Sequence, residues 1–217
     1  ATTAAGLNPD DYASANIGDG LIVEDPELDH LIIDTDHSNL HLIPSNRTLR
    51  DAAHELVAQG EPLERLSEGL QKLEGRYQYV IIDLPPTIEI LQEMAIEAAD
   101  RFVIPVELAR FSLDGLGKVV LHLMTRKPTD TQWQFRIVLS RVEGYNKLSN
   151  EQATKDLRDL KRYILPTAIR YNGKIPLSQT AGKDIFTFAP LSRGARDFRH
   201  LCKDIETLWP TTALQAS

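Results

Sequence analysis

An α/β fold, with a mostly parallel central sheet and helices on both faces, is what this sequence predicts. Three observations carry the expectation. Tyr79, Val80, Ile81 and Ile82 form an apolar run without alternation, and a second run spans Arg101 to Val106. Such runs suit strands covered on both faces, the habit of parallel sheets flanked by helices. Segments of helical periodicity separate the runs, and strands alternating with helices imply parallel pairing through right-handed crossovers. No linker is long enough to divide the 217 residues, so a single domain over 1–217 is expected.

Residues 1–30 are small, polar and acidic, punctuated by Gly18, Gly20 and Pro26, and read as loop with short helices. Leu40, Leu42 and Ile43 make a short strand that Pro44-Ser45-Asn46 ends. Thr48 to Asp51 has the form of a capping box, predicting a helix to about residue 58. Leu63, Leu66, Leu70 and Leu73 share one face of a second helix, 63–73. After the 79–82 strand a helix is expected over 88–98, then the strand 101–106 and a helix over 112–125. A strand over 135–139 follows, with a helix from about 150 capped by Ser149 and Gln152. The remainder reads as a strand at 167–170, a short helix at 175–181 and a terminal helix at 192–208. The tail after Pro210 is expected to fray.

Composition narrows the function. An apolar share of 42% supports a sizeable core, and a charged share of 25% is ordinary. A formal charge of −7 excludes a general electrostatic glue for nucleic acid, so any DNA contact needs a local basic patch. The one cysteine, Cys202, cannot close an internal disulfide, which suits a reducing compartment. No apolar run reaches the length of a transmembrane helix. Residues 1–6 lack the charge and apolar stretch of a signal peptide. The six histidines show no metal-site spacing, and Asp34, Asp36 and His37 read as a polar loop. No Ser-His-Asp or Cys-His arrangement has motif support.

The most informative stretch runs from Tyr77 to Pro86. It places Asp83 at the carboxyl end of the 79–82 run, where open α/β sheets bind ligands. A carboxylate there can hold Mg²⁺, directly or through water, beside a nucleotide phosphate. The alternative is an acid that caps the next helix. The rigid Pro85-Pro86 turn that follows tips the balance toward the ligand.

The stretch resembles the Walker B and switch region of the ParA/MinD ATPases, close to "YDYIIIDxPP". Further similarities follow in order: Ala98-Ala99-Asp100, Ile104-Pro105-Val106-Glu107 and Phe111 to Leu116. Gly182-Lys183-Asp184-Ile185 and Ala189 to Ala195 resemble the family's ending. Upstream, Asn39 to Asn46 is similar to "NLDLIPSN", and Ala1-Thr2-Thr3 with Gly6-Leu7 to the tail of "DPQGNATxGLG". No Gly-x-x-x-x-Gly-Lys-[Ser/Thr] phosphate loop occurs in 1–217, nor the family's second-strand aspartate. The chain opens inside a family motif, so a truncated P-loop NTPase-like domain is expected, inactive as it stands.

The resemblance implies a partition ATPase of plasmid or chromosome that binds ATP and Mg²⁺. It implies dimerisation on ATP, non-specific DNA binding and a ParB-like partner, in the cytoplasm on the nucleoid and off the membrane. It makes Asp83 the magnesium-shell carboxylate. It places Ser140 and Arg141, where relatives carry Asn-Arg, and Ile175 and Pro176 on the adenine side. Plain loop, core and turn duty stays open for those four. On the last helix Arg193, Arg196, Arg199 and Lys203 share a face that could meet phosphates. A solvated face balanced by Asp197, Asp204 and Glu206 is the other reading. Two other functions stay in view: a MinD-like positioning ATPase, against which the non-basic tail 208–217 argues, and a nucleotide-free adaptor that keeps the fold.

Overall fold

A computed structural model describes residues 7–60, 62–84, 89–107, 113–126, 134–143 and 157–210. Its internal contacts gather into two units, one within 1–99 and one within 100–211.

The first unit is built from short helices around leucine. A 3-10 turn at Pro9–Tyr12 leads to helix α1, Ile17–Leu21. Asn16 caps α1: its Oδ1 accepts the Gly18 N–H at 2.9 Å, and Asp19 Oδ2 accepts the Asn16 N–H at 3.1 Å. The Asn16 amide also donates to Tyr12 O at 3.2 Å, so this fully buried polar side chain is satisfied. Strands β1, Ile33–Asp34, and β2, His41–Leu42, pair antiparallel. The expected strand near 40–43 is therefore half of a small hairpin. Helices α2, Leu49–Ala58, α3, Arg65–Gln71, and α4, Glu89–Ala98, follow where periodicity placed them. Leu21, Leu28, Leu31, Leu56, Leu66 and Met94 form the core between them.

Two expectations in this unit need correction. Thr48 precedes α2, but its side chain makes no cap bond. Asn46 Oδ1 instead accepts both the Thr48 N–H, at 2.9 Å, and the Thr48 hydroxyl, at 2.6 Å. An Asx turn has taken the place of the capping box. The second correction concerns 79–82, which forms no buried strand. Tyr79 is 45%, Val80 54% and Ile81 88% exposed, and only Ile82 packs on the core. Burying a parallel strand requires a ladder beside it and cover on both faces. Among the described residues of this unit, no strand supplies that ladder.

The second unit carries the parallel sheet that the fold class requires. Strand β3, Arg101–Glu107, lies parallel to β4, Gln134–Ser140, in register from Arg101↔Gln134 to Glu107↔Ser140. Between them in sequence runs helix α5, Leu113–Arg126, which buries Leu116 and Leu123. The expected helix from about 150, with its Ser149 cap, lies outside the described residues, as do Pro85, Pro86 and the tail 211–217. A 3-10 turn at Arg158–Tyr163 leads to an extended segment on the free edge of β4. There Leu165 N–H donates to Ile137 O and Ile169 N–H to Leu139 O, each at 2.8 Å. Only isolated parallel bridges result, at Ile137↔Ile164 and Val142↔Arg170. The N–H between those two donors in the alternation, that of Thr167, goes to Asp204 Oδ2 instead, which interrupts a regular ladder.

Helices α6, Lys174–Thr180, α7, Ile185–Phe188, and α8, Arg193–Leu208, complete the unit. Ser192 Oγ caps α8 by accepting the Ala195 N–H at 3.1 Å. Phe198, Leu201 and Ile205 of α8 pack on Val138, Leu165 and Ile169 of the sheet. Two acids of the same helix bind the sheet's irregular third segment. Asp204 Oδ2 accepts the Thr167 N–H at 2.9 Å. Asp197 accepts the Arg170 backbone N–H at 3.1 Å and two donors of its guanidinium, Nε and Nη2, at 3.0 and 2.5 Å. Below, Trp209 is buried with the Arg101 and Arg136 guanidiniums each 5.8 Å from its ring.

Asp197 gives a test of this docking. Burial pushes its carboxyl up, but the Arg170 hydrogen bonds and charge, with that of His200, outweigh burial and hold it below the ordinary range. A depressed folded value means stabilisation that is complete above the usual aspartate range and lost as pH falls through the lower value. Asp197→Asn is expected to cost about 2 kcal/mol at neutral pH, the lower part of the range because Arg170 can rehydrate. Urea denaturation at pH 7 and at acid pH checks both points: the difference between variant and wild type should shrink on the acid side.

Candidate nucleotide site and basic helix face

Asp83 lies in the first unit, directly after the apolar run, and is exposed. A carboxylate in that setting can be reached by a hydrated cation, and Mg²⁺ is held through one or two carboxylates while keeping several waters.

Ser140 and Arg141 lie in the second unit, at the carboxyl rim of its sheet. Strands β3 and β4 end there side by side, at Glu107 and Ser140. The chain then turns through Arg141 in the left-handed region, with φ +52°. This conformation is uncommon for a residue with a side chain, and it concentrates at functional sites. Hydrogen bonds on either side hold the turn: Val142 N–H to Ile169 O at 3.1 Å and Tyr171 N–H to Val142 O at 3.0 Å. Arg141 Nε lies 3.3 Å from Glu107 Oε1, and its guanidinium sits 5.8 Å over the Tyr171 ring. The sequence reading missed Tyr171. It missed Glu107 as well, because only the pairing of β3 with β4 brings that strand end beside Arg141.

Ile175 and Pro176 open α6 but differ in setting. Ile175 is partly buried against the Val138 cluster, and a Cβ on Gly194 would stand 3.0 Å from its Cγ1 and Cδ1. Pro176 is exposed. Core packing by Ile175 thus accounts for the close approach of α6 and α8.

Arg193, Arg196, Arg199 and Lys203 are all exposed along α8. Arg199 Nη1 donates to Pro190 O at 2.8 Å and its guanidinium lies 5.1 Å from the Phe186 ring. Two of the three acids that could neutralise this stripe are turned away, while Glu206 is exposed on the same helix. Asp197 and Asp204 bind Arg170 and Thr167 on the sheet side.

Among the described residues, no group of three His, Cys, Asp or Glu could hold a metal ion. Thr35 Oγ1 closes that loop by donating to Leu40 O at 2.7 Å. His41 instead bridges Tyr77, with Nδ1 2.8 Å from the phenol oxygen, and Asp34, 3.6 Å from Nε2. Among the described residues, no helix is long and apolar enough to cross a membrane.

A family model described as an AAA domain matches residues 1–135. The chain belongs to the AAA domain family. Within it the implied ParA type holds, and the family is one of P-loop ATPases. This AAA domain chain is 27% identical over 187 residues to the sporulation initiation inhibitor protein Soj of Bacillus subtilis, covering 85% of the chain and 74% of Soj. It is 28% identical over 215 residues to a ParA family protein of Chlamydia trachomatis, covering 94% and 80%. The fold matches that of cobyrinic acid a,c-diamide synthase from Mycobacterium smegmatis, with bound ATP analog and magnesium. The TM-score is 0.75 at 19% identity, over 99% of this chain and 82% of that one.

Proposed function

We propose that the protein is a partition ATPase that binds ATP–Mg²⁺, dimerises on nucleotide and holds DNA without sequence preference. Residues 1–217 then serve as one nucleotide-binding domain, in the cytoplasm on the nucleoid, with hydrolysis stimulated by a ParB-like partner. The observation that carries the reading is the exposed Asp83 carboxylate at the end of its apolar run, inside the portion that matches the family. ATP with Mg²⁺ supplies the charge that changes on hydrolysis. Asp83 would hold the ion through its water shell, and Ser140, Arg141 and Pro176 would border the base, with Ile175 supporting α6 from behind.

The basic face of α8 is the proposed DNA surface. A stripe of cations can bind phosphate despite a formal charge of −7, because screening makes binding a local matter. Two weak patches joined in a dimer would bind far more tightly than one. The test is DNA retention by the full-length protein with and without ATP–Mg²⁺, over a salt series. Binding is expected only with nucleotide. Arg196→Ala and Lys203→Ala should each lower the log–log salt slope by about one for every phosphate no longer neutralised, on any sequence. Nucleotide-independent binding, or a slope unchanged in both variants, argues against this face.

A further inference from the structure

The rim of the second unit holds a charge pair whose acid, Glu107, has no part in the partition reading. Glu107 ends β3, Arg141 follows the end of β4, and Tyr171 closes the third extended segment. The Arg141 side chain retains 58% exposure although Glu107 and Tyr171 both engage it. A solvated arginine samples many rotamers. Here the left-handed backbone, the carboxylate and the ring restrain it together. Its central carbon lies 5.8 Å from the centre of the Tyr171 ring, and the side chain stays accessible. A guanidinium plane stacks on flat π systems as well as pairing with carboxylates.

We propose that Glu107 is a positioning residue for nucleotide binding: it holds Arg141 against Tyr171, so that the rim presents a prepared flat surface to a purine base. This rests on the ATP-binding reading above. Glutamate matters because an ionised acceptor restrains a guanidinium more firmly than a neutral amide would. Restraint before binding lowers the ordering cost of the bound state.

The experiment is titration calorimetry of the full-length protein with ATP–Mg²⁺ and, separately, with inorganic tripolyphosphate–Mg²⁺. Glu107→Gln is expected to weaken ATP about fivefold, the scale of an exposed ion pair, and to leave tripolyphosphate unchanged. Glu107→Asp should recover part of the loss, and Tyr171→Leu should reproduce it, again for ATP alone. Wild-type ATP affinity in Glu107→Gln overturns the proposal. So does an equal loss for both ligands, which would indicate a field or folding effect rather than a prepared base surface. A wild-type protein that binds neither ligand removes the ATP-binding reading itself, and this inference with it.

Discussion

Asp83→Ala is expected to reduce Mg²⁺-dependent ATP turnover in the full-length protein by about a hundredfold or more. The argument is electrostatic. A magnesium ion beside the phosphates neutralises charge that grows on the leaving and transferred groups, and its effect depends on being held in one place. Asp83 is exposed and lies outside the leucine core of its unit, so its loss should leave the fold intact. Phosphate release measured against Mg²⁺ concentration checks this, with circular dichroism as the folding control. Turnover at the wild-type level, with the same magnesium dependence, would remove Asp83 from its assigned role.

Leu28→Ala should produce the largest stability change in the first unit, a loss of about 3 kcal/mol. Leu28 is 1% exposed and occupies space left by two glycines. A Cβ on Gly20 would come within 2.9 Å of Leu28 Cδ2 and 2.7 Å of Leu31 Cδ1. On Gly69 it would stand 2.8 Å from Leu28 Cγ. Neither glycine has a positive φ, so close packing rather than backbone freedom is their use. Gly69→Ala alone should cost about 1–3 kcal/mol by overpacking. The double variant should cost clearly less than the two together, because the alanine methyl fills part of the cavity that Leu28 leaves. Urea unfolding of all four forms decides it: strict additivity would mean that Leu28 and Gly69 do not share the space.

Helices were the most legible elements. α2, α4 and α5 appear where their apolar periodicity put them, because a helix completes its backbone hydrogen bonds within itself. The run at 79–82 was misread for the opposite reason. Its composition announces a buried strand, but burial is decided by neighbours elsewhere in the chain, and Ile81 stands 88% exposed. The capping box at Thr48 failed on a local competition, since Asn46 reached the same N–H first. At the candidate site, Asp83 and Arg141 could be named from motif and order. Tyr171 could not, because only the parallel segment along β4 brings it under Arg141.

By itself, the sequence determined the α/β class, the places of helices such as α2, α4 and α5, the ParA-type family and the candidate acid at the end of an apolar run. These are properties of patterns read along the chain, where period and spacing suffice. Tertiary structure alone decided which charges act. Asp197 and Asp204, neighbours of the basic stripe in sequence, face the sheet and bind Arg170 and Thr167, while Glu107 reaches Arg141. Charge pairing depends on separation in space and on burial, and neither is contained in the order of residues.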